Sequence, residues 1–153
     1  MIQKIDAASD KEKIATYILS HLSDWFGLPE STQSYITESR DMPFWAAYQE
    51  EQPVGFIALK ETSPATAEVF VMGVLPECHH SGLGRQLYQT FEQYAKEKGY
   101  SFVQVKTVQM GHYEAYDRTN RFYMAMGFQE LECFPTLWDA WNPCQIYVKS
   151  IGC

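Results

Sequence analysis

The stretch from residue 67 to residue 98 constrains this chain most. It begins with Ala67 and Glu68, continues as an apolar run over 69–75, breaks at Pro76 and crosses a loop with glycines at 82 and 84. A helical pattern follows over 82–98, with Leu83, Leu87, Tyr88, Phe91, Tyr94 and Ala95 on one face and Gly99 as its stop. A β-branched and aromatic run that leads into a one-sided helix predicts a helix packed back on a sheet. Strand–loop–helix junctions of this kind are where ligands bind in such sheets.

The remaining elements can be read around that junction. Apolar residues near helical period at Ile14, Tyr17, Ile18 and Leu22 predict a helix over 10–24, capped by Ser9 or Asp10. Gly27, Leu28 and Pro29 break it, and a second short helix is expected over 30–40. Strands are expected over 44–48 and 54–60, joined as a hairpin by the polar turn 49–53. Alternation predicts a strand over 101–108, followed by a helix over 113–126 that ends at Gly127. Closing strands are expected over 128–134 and 145–150. There is no repeat, low-complexity tract or linker, so residues 1–153 read as one domain of mixed α/β (α+β) class around a single sheet.

Composition excludes several functions. The chain has 153 residues, 46% of them hydrophobic and 15% aromatic, enough for a core without staples. The net charge of −7 argues against a nucleic-acid backbone as partner. The acidic excess lies in residues 1–75, which suits a cationic partner or serves solubility. No apolar run approaches the ~20 residues that span a membrane, and Lys4 and Asp6 interrupt the N-terminus where a signal peptide would need an apolar core. A soluble, cytoplasmic protein is expected. The cysteines, Cys78, Cys133, Cys144 and Cys153, show no C-x-x-C spacing and are expected as reduced, mostly buried thiols. His79 and His80 point apart as neighbours and have no evident third ligand, so no metal site is expected, and His21 and His112 read as surface residues.

The loop 74–85 carries the chemistry. Its glycines let backbone approach a ligand closely, and the free N–H groups at the next helix start make an anion site suited to a diphosphate. Alone, the Gly-x-Gly is equally compatible with a tight turn under a helix; it is neither a Walker loop nor a dinucleotide fingerprint.

With its surroundings the chain resembles the GNAT superfamily, the acyl-CoA-dependent N-acetyltransferases, over roughly residues 40–150. Two motifs carry the resemblance. Val74-Leu75-Pro76 leads into His79-His80-Ser81-Gly82-Leu83-Gly84, where the family usually has Gln or Arg in place of His79. Phe122-Tyr123-Met124-Ala125-Met126-Gly127-Phe128 matches the family's second motif in full. The resemblance implies a mostly antiparallel central sheet flanked by helices, with a splayed strand pair at the site of acetyl-CoA, the cosubstrate. It implies diphosphate contacts from His79, His80, Ser81, Gly82, Leu83, Gly84 and Arg85, and backbone contacts to the pantetheine arm from Met72, Gly73 and Val74. The family's usual Asn before the motif is Tyr116 here, and Asn120 is the candidate replacement for a contact to the cofactor arm.

Catalytic roles are expected for Tyr123, as the acid that protonates the leaving thiolate, and Glu68, as a base acting through water; a packed tyrosine and a solvated carboxylate are the alternatives. Direct transfer in a ternary complex is expected, because no cysteine in the motif offers itself as acyl carrier. For the acceptor, a cationic primary amine on a small molecule or peptide, Trp25 and Phe26 would shape one wall. Trp138 and Asp139, in a loop between the last strands, would form an aromatic wall with one carboxylate, or else pack or contact a second copy in a homodimer. A non-catalytic CoA sensor or a protein-interaction module on the same fold are the alternative functions.

Overall fold

The computed structural model describes residues 1–26 and 29–152. The elements run β1 (Ile2–Ile5), α1 (Ala8–Ser20), α2 (Pro29–Ser39), β2 (Phe44–Gln49), β3 (Gln52–Ser63), β4 (Thr66–Val74), α3 (Leu83–Glu97), β5 (Phe102–Val108), α4 (Glu114–Ala125), β6 (Gln129–Asp139) and β7 (Asn142–Ser150). The seven strands form one sheet in the order β1-β2-β3-β4-β5-β7-β6, antiparallel throughout except for β4 beside β5. That single parallel pair is the consequence of the α3 crossover, which returns the chain to the same end of the sheet. The Gly27-Leu28 break foreseen between the first two helices lies outside the described residues, as does Cys153.

Several expectations are corrected. The polar N-terminus adds a third strand to the first hairpin: Ile2 pairs with Ala47 and Ile5 with Phe44. The charges that interrupt the pattern there suit an edge strand. α1 starts at Ala8 with Ala7 in the capping position, so Ser9 and Asp10 lie inside its first turn, where the Asp10 carboxylate faces the positive end of the helix. The first hairpin turns on Glu50 and Glu51, both with positive φ, so Pro53 lies within β3. The loop expected around Trp138 is a second hairpin, turning at Ala140 and Trp141.

Helices cover both faces. Gly73 lies under Leu22 and Ile18 at the end of α1, whereas Gly55, one position away on the neighbouring strand, lies under Leu87 of α3. Phe44 and Phe56 stack at 5.1 Å, and Trp45 meets Phe91 and Tyr94 of α3 edge-on. The expected face of α3 is the buried one, Leu83, Leu87, Tyr88, Phe91 and Ala95.

Two irregularities position the site. Leu59 pairs with Val69 and Ala58 with Val71, so Phe70 is an extra residue in β4. This bulge resets the alternation of the strand. And β4 pairs with β5 only from Thr66–Phe102 to Val69–Val105; beyond that the two strands part.

Candidate active site

A cleft of about 1070 Å³ occupies the gap where β4 and β5 separate. One wall is Val69–Val74 of β4 and the other Val105–Val108 of β5; the start of α3, the face of α4, the turn after α1 and the tip of the β6–β7 hairpin close around them.

β4 supplies backbone groups to this cleft. The Leu75 N–H donates to Val54 of β3 at 2.8 Å. Because successive residues of a strand turn their N–H and C=O to opposite sides, Val74 and Met72 turn theirs away from β3, into the gap. Gly73, expected among the cofactor contacts, turns its carbonyl toward β3 and Gly55, and serves instead to let α1 approach. The Val74 carbonyl already accepts a hydrogen bond from His79 Nε2 at 2.8 Å. His79 also meets Trp25 edge-on at 5.6 Å, so its ring braces the loop rather than reaching for an anion.

The loop into α3 is shaped for backbone donation. His80 and Gly82 both have positive φ, 62° and 86°. Gly82 is the capping residue of α3 and no side chain caps the helix, so the first-turn N–H groups are free for a ligand. A Cβ added at Gly82 would meet nothing within 4 Å. At Gly84 it would rest on Phe122 and Met72 at 3.4–3.5 Å, so this glycine brings α3 close to α4 and β4. Ser81 gives its hydroxyl to the Cys78 carbonyl, and Leu83 is buried, which leaves both with backbone groups to offer. His80 and Arg85 line the cleft at this end.

Tyr123, buried on α4 between Phe122 and Phe128, also lines the cleft. Its hydroxyl finds no hydrogen-bond partner among the described residues, and none of their buried side-chain polar atoms is left unpaired, so the hydroxyl keeps contact with solvent in the cleft. Burial pushes its pKa well above the ordinary tyrosine value, with the neighbouring Tyr35 adding to the effect. The phenol is a proton donor throughout the neutral range.

Glu68 comes from the other face of the sheet. It is 4% exposed; its Oε1 accepts from Gln104 Nε2 at 2.9 Å and forms an ion pair with Lys106 Nζ at 3.1 Å. Its Oε2 has no partner among the described residues and, by the same reasoning, retains solvent contact. Lys106 lines the cleft and Glu68 does not.

Asn120 is corrected. It is fully buried and spent on the fold: its Nδ2 donates to the carbonyls of Val108 and Tyr116, and its Oδ1 accepts from Tyr147 at 2.5 Å. Tyr116 faces the cleft in its place, giving its hydroxyl to the Trp25 carbonyl, with burial raising its pKa to about 12.

Trp25, Phe26, Trp138 and Asp139 all line the cleft. Trp25 is a clasp: its Nε1 donates to Ala115 and Thr119 of α4, each at 3.1 Å. Asp139 is not a free receptor for a cation. Its carboxylate accepts from the N–H groups of Trp141 and Asn142 and twice from the Asn142 amide, all within 3.1 Å, and so holds the hairpin turn. Three wall residues had no signal of their own in the sequence. Tyr35 of α2 packs against Phe26 and against the bulged Phe70, and Lys106 reaches Glu68 across the parallel pair. Only the register of β4 on β5 could have linked Glu68 to Gln104 and Lys106.

A parted parallel strand pair, a bulge beside it and a helix N-terminus opening into the same cleft define the class of acyltransferase fold that the two motifs suggested. Residues 12–128 match the acetyltransferase (GNAT) family, and the chain belongs to it. It is 30% identical to N-acetyltransferase 8B of Rattus norvegicus over 118 residues, 72% of this chain and 50% of that protein. The chain thus spans about half the length of that mammalian relative. Two solved structures share the fold: an aminoglycoside 6'-N-acetyltransferase complexed with coenzyme A (TM-score 0.75, 16% identity, covering 99% of this chain and 97% of that one) and the ribosomal-protein-S18-alanine N-acetyltransferase of Escherichia coli (TM-score 0.78, 16% identity, covering 100% and 96%).

Proposed function

We propose that this chain transfers the acetyl group of acetyl-CoA to a primary amine by direct attack in a ternary complex. One observation carries the reading. The unpaired groups of β4, the uncapped N-terminus of α3 and the hydroxyl of Tyr123 open into one continuous cleft. The α3 N-terminus suits a diphosphate, through the backbone N–H groups of 82–85 with His80 and Arg85 adding donors. From there Val74 and Met72 lead along β4 toward the bulge at Phe70, a path for an extended arm that adds hydrogen bonds as a further strand would.

Attack requires a neutral amine, so a proton must leave the acceptor. Glu68 takes it through a water at the free Oε2. The amine nitrogen then bonds to the acetyl carbonyl carbon, the C–S bond breaks and the departing thiolate takes the Tyr123 proton. As the C–S bond breaks, a water in the cleft takes the second proton from the acylated nitrogen and passes it to Tyr123, and Glu68 gives its own proton up to solvent. The products are an N-acetyl amide and CoA thiol.

Two measurements test this: a CoA binding isotherm, and CoA release from acetyl-CoA with an amine panel. Micromolar CoA binding and amine-dependent release are expected. No CoA affinity at millimolar concentration would sink the proposal.

A further inference from the structure

We infer that the acceptor is an amine that carries a carboxylate one carbon away and a bulky apolar side group: a free α-amino acid, rather than a polyamine, an aminoglycoside or a peptide N-terminus. This deepens the acetyl-transfer reading and rests on it.

The first observation is where a cation meets the cleft. Lys106 is the first β5 residue beyond the last β4–β5 pair, Val69–Val105, so it stands at the vertex where the strands part. Its ammonium is ion-paired with Glu68 Oε1 and with no other group among the described residues, which leaves N–H donors for the cleft it lines. Its side chain is 35% exposed, whereas Glu68 behind it is covered. A ligand at the vertex meets the ammonium first.

The second is that the described residues of the cleft include no free carboxylate cluster for a polycation. Asp139 is spent on four hydrogen bonds from three donors in its turn. Asp24 sits on the exposed turn after α1, where Arg118, 5.7 Å over the Trp25 ring, lines the same cleft. Lys106, Tyr35 and Tyr123 line the cleft, and their ammonium and hydroxyl groups have hydrogens to donate there. Donors that face the cleft with hydrogens to spare favour a ligand that supplies acceptors, and a carboxylate does so with charge.

The third is the apolar wall. Phe26, Tyr35 and Phe70 pack edge to face along the cleft, and Trp138 lines it as well. Such a chamber holds a large apolar group in a site whose few polar groups fix orientation. With the carboxylate on Lys106 at the vertex, the amine one carbon away lies beside the bulge that ends the β4 path, within reach of a water on Glu68.

The test compares phenylalanine, phenylalaninamide, phenethylamine and spermidine. CoA release and binding to the protein–CoA complex by calorimetry are the readouts. Phenylalanine should exceed its amide by about 10- to 100-fold in kcat/KM or affinity, the worth of one charge-assisted hydrogen bond. Lys106→Met should bring the acid-to-amide ratio toward one, and Lys106→Arg should keep most of it. Phenethylamine or spermidine as the best acceptor, or an acid-to-amide ratio near one in the unaltered protein, would overturn the substrate class while leaving acetyl transfer standing. A ratio unchanged by Lys106→Met would overturn the role of Lys106. Failure to bind CoA at all would remove the acetyl-transfer reading itself, and this inference with it.

Discussion

Removing one oxygen from Tyr123 isolates its chemistry from its packing. The Phe variant keeps the ring against Phe122 and Phe128, so stability should hardly change, while kcat should fall by about 100-fold, the lower end of general-acid effects, because a thiol is itself a fair leaving group. Steady-state kinetics across pH checks it. Because the Tyr123 pKa is raised, its protonated, donating form persists to higher pH. The alkaline loss of the Tyr123-dependent rate should therefore lie above pH ~10, the ordinary tyrosine value. Asn120 should behave in the opposite way. Asn120→Ala leaves the Tyr147 hydroxyl and two carbonyls without their buried partner, at a cost of about 2–3 kcal/mol in a urea midpoint, while CoA affinity of the folded protein holds. Tyr116, Asn120 and Tyr123 follow one another at about a turn's spacing on α4. The sequence shows that they share a broad face, but not which of them meets the cleft and which the sheet, because that depends on how the helix is rotated against β5 and β7.

At the scale of elements, the loop into α3 is the part most exposed to test. Gly82 occupies the left-handed region with open space around it, so Gly82→Ala should cost about 1–2 kcal/mol through its backbone alone and also weaken CoA binding. Gly84→Ala meets only ordinary contacts and should leave stability within about 0.5 kcal/mol, the range of undisruptive changes. Thermal melts with and without CoA separate the two. α3 is also fastened to β7 by Glu92, whose carboxylate accepts from Lys149 at 2.6 Å and from Tyr88 at 2.9 Å. Burial alone would raise the Glu92 pKa; the hydrogen bonds from Lys149, Tyr88 and Lys96 outweigh it and hold the carboxyl below its ordinary value. The sign follows: the stability from this clamp is present above the unfolded-state pKa and is lost as pH falls through the folded-state one. Acid titration of the melting temperature should show that loss, reduced in Lys149→Met. The long, one-sided α3 and its strand were plain in the sequence. The short β1 and the continuation of β6 to Asp139 were not, since one is a four-residue edge strand with charges and the other is exposed along nearly its whole length, without the alternation that marks a half-buried strand.

For the whole molecule, ligand binding should register as stability. CoA at ~100 times its dissociation constant should add ~2.7 kcal/mol, visible as a raised melting temperature. The order of elements and the two motifs were enough to anticipate a mixed sheet with one parted pair. The sequence could not say where the pair parts, because that depends on the bulge at Phe70 and the register of β4 on β5, both set by packing between distant segments.

The parting of β4 from β5 also makes the protein its own reporter. From Val71 to Val74, alternate amides differ in kind: the Gly73 N–H faces its neighbour β3, whereas those of Met72 and Val74 face the gap. In the free protein, deuterium should enter Met72 and Val74 rapidly and Gly73 slowly. Acetyl-CoA should slow the two fast sites and leave Gly73 as it was, so a comb of fast and slow amides along one strand would record whether the arm lies along β4.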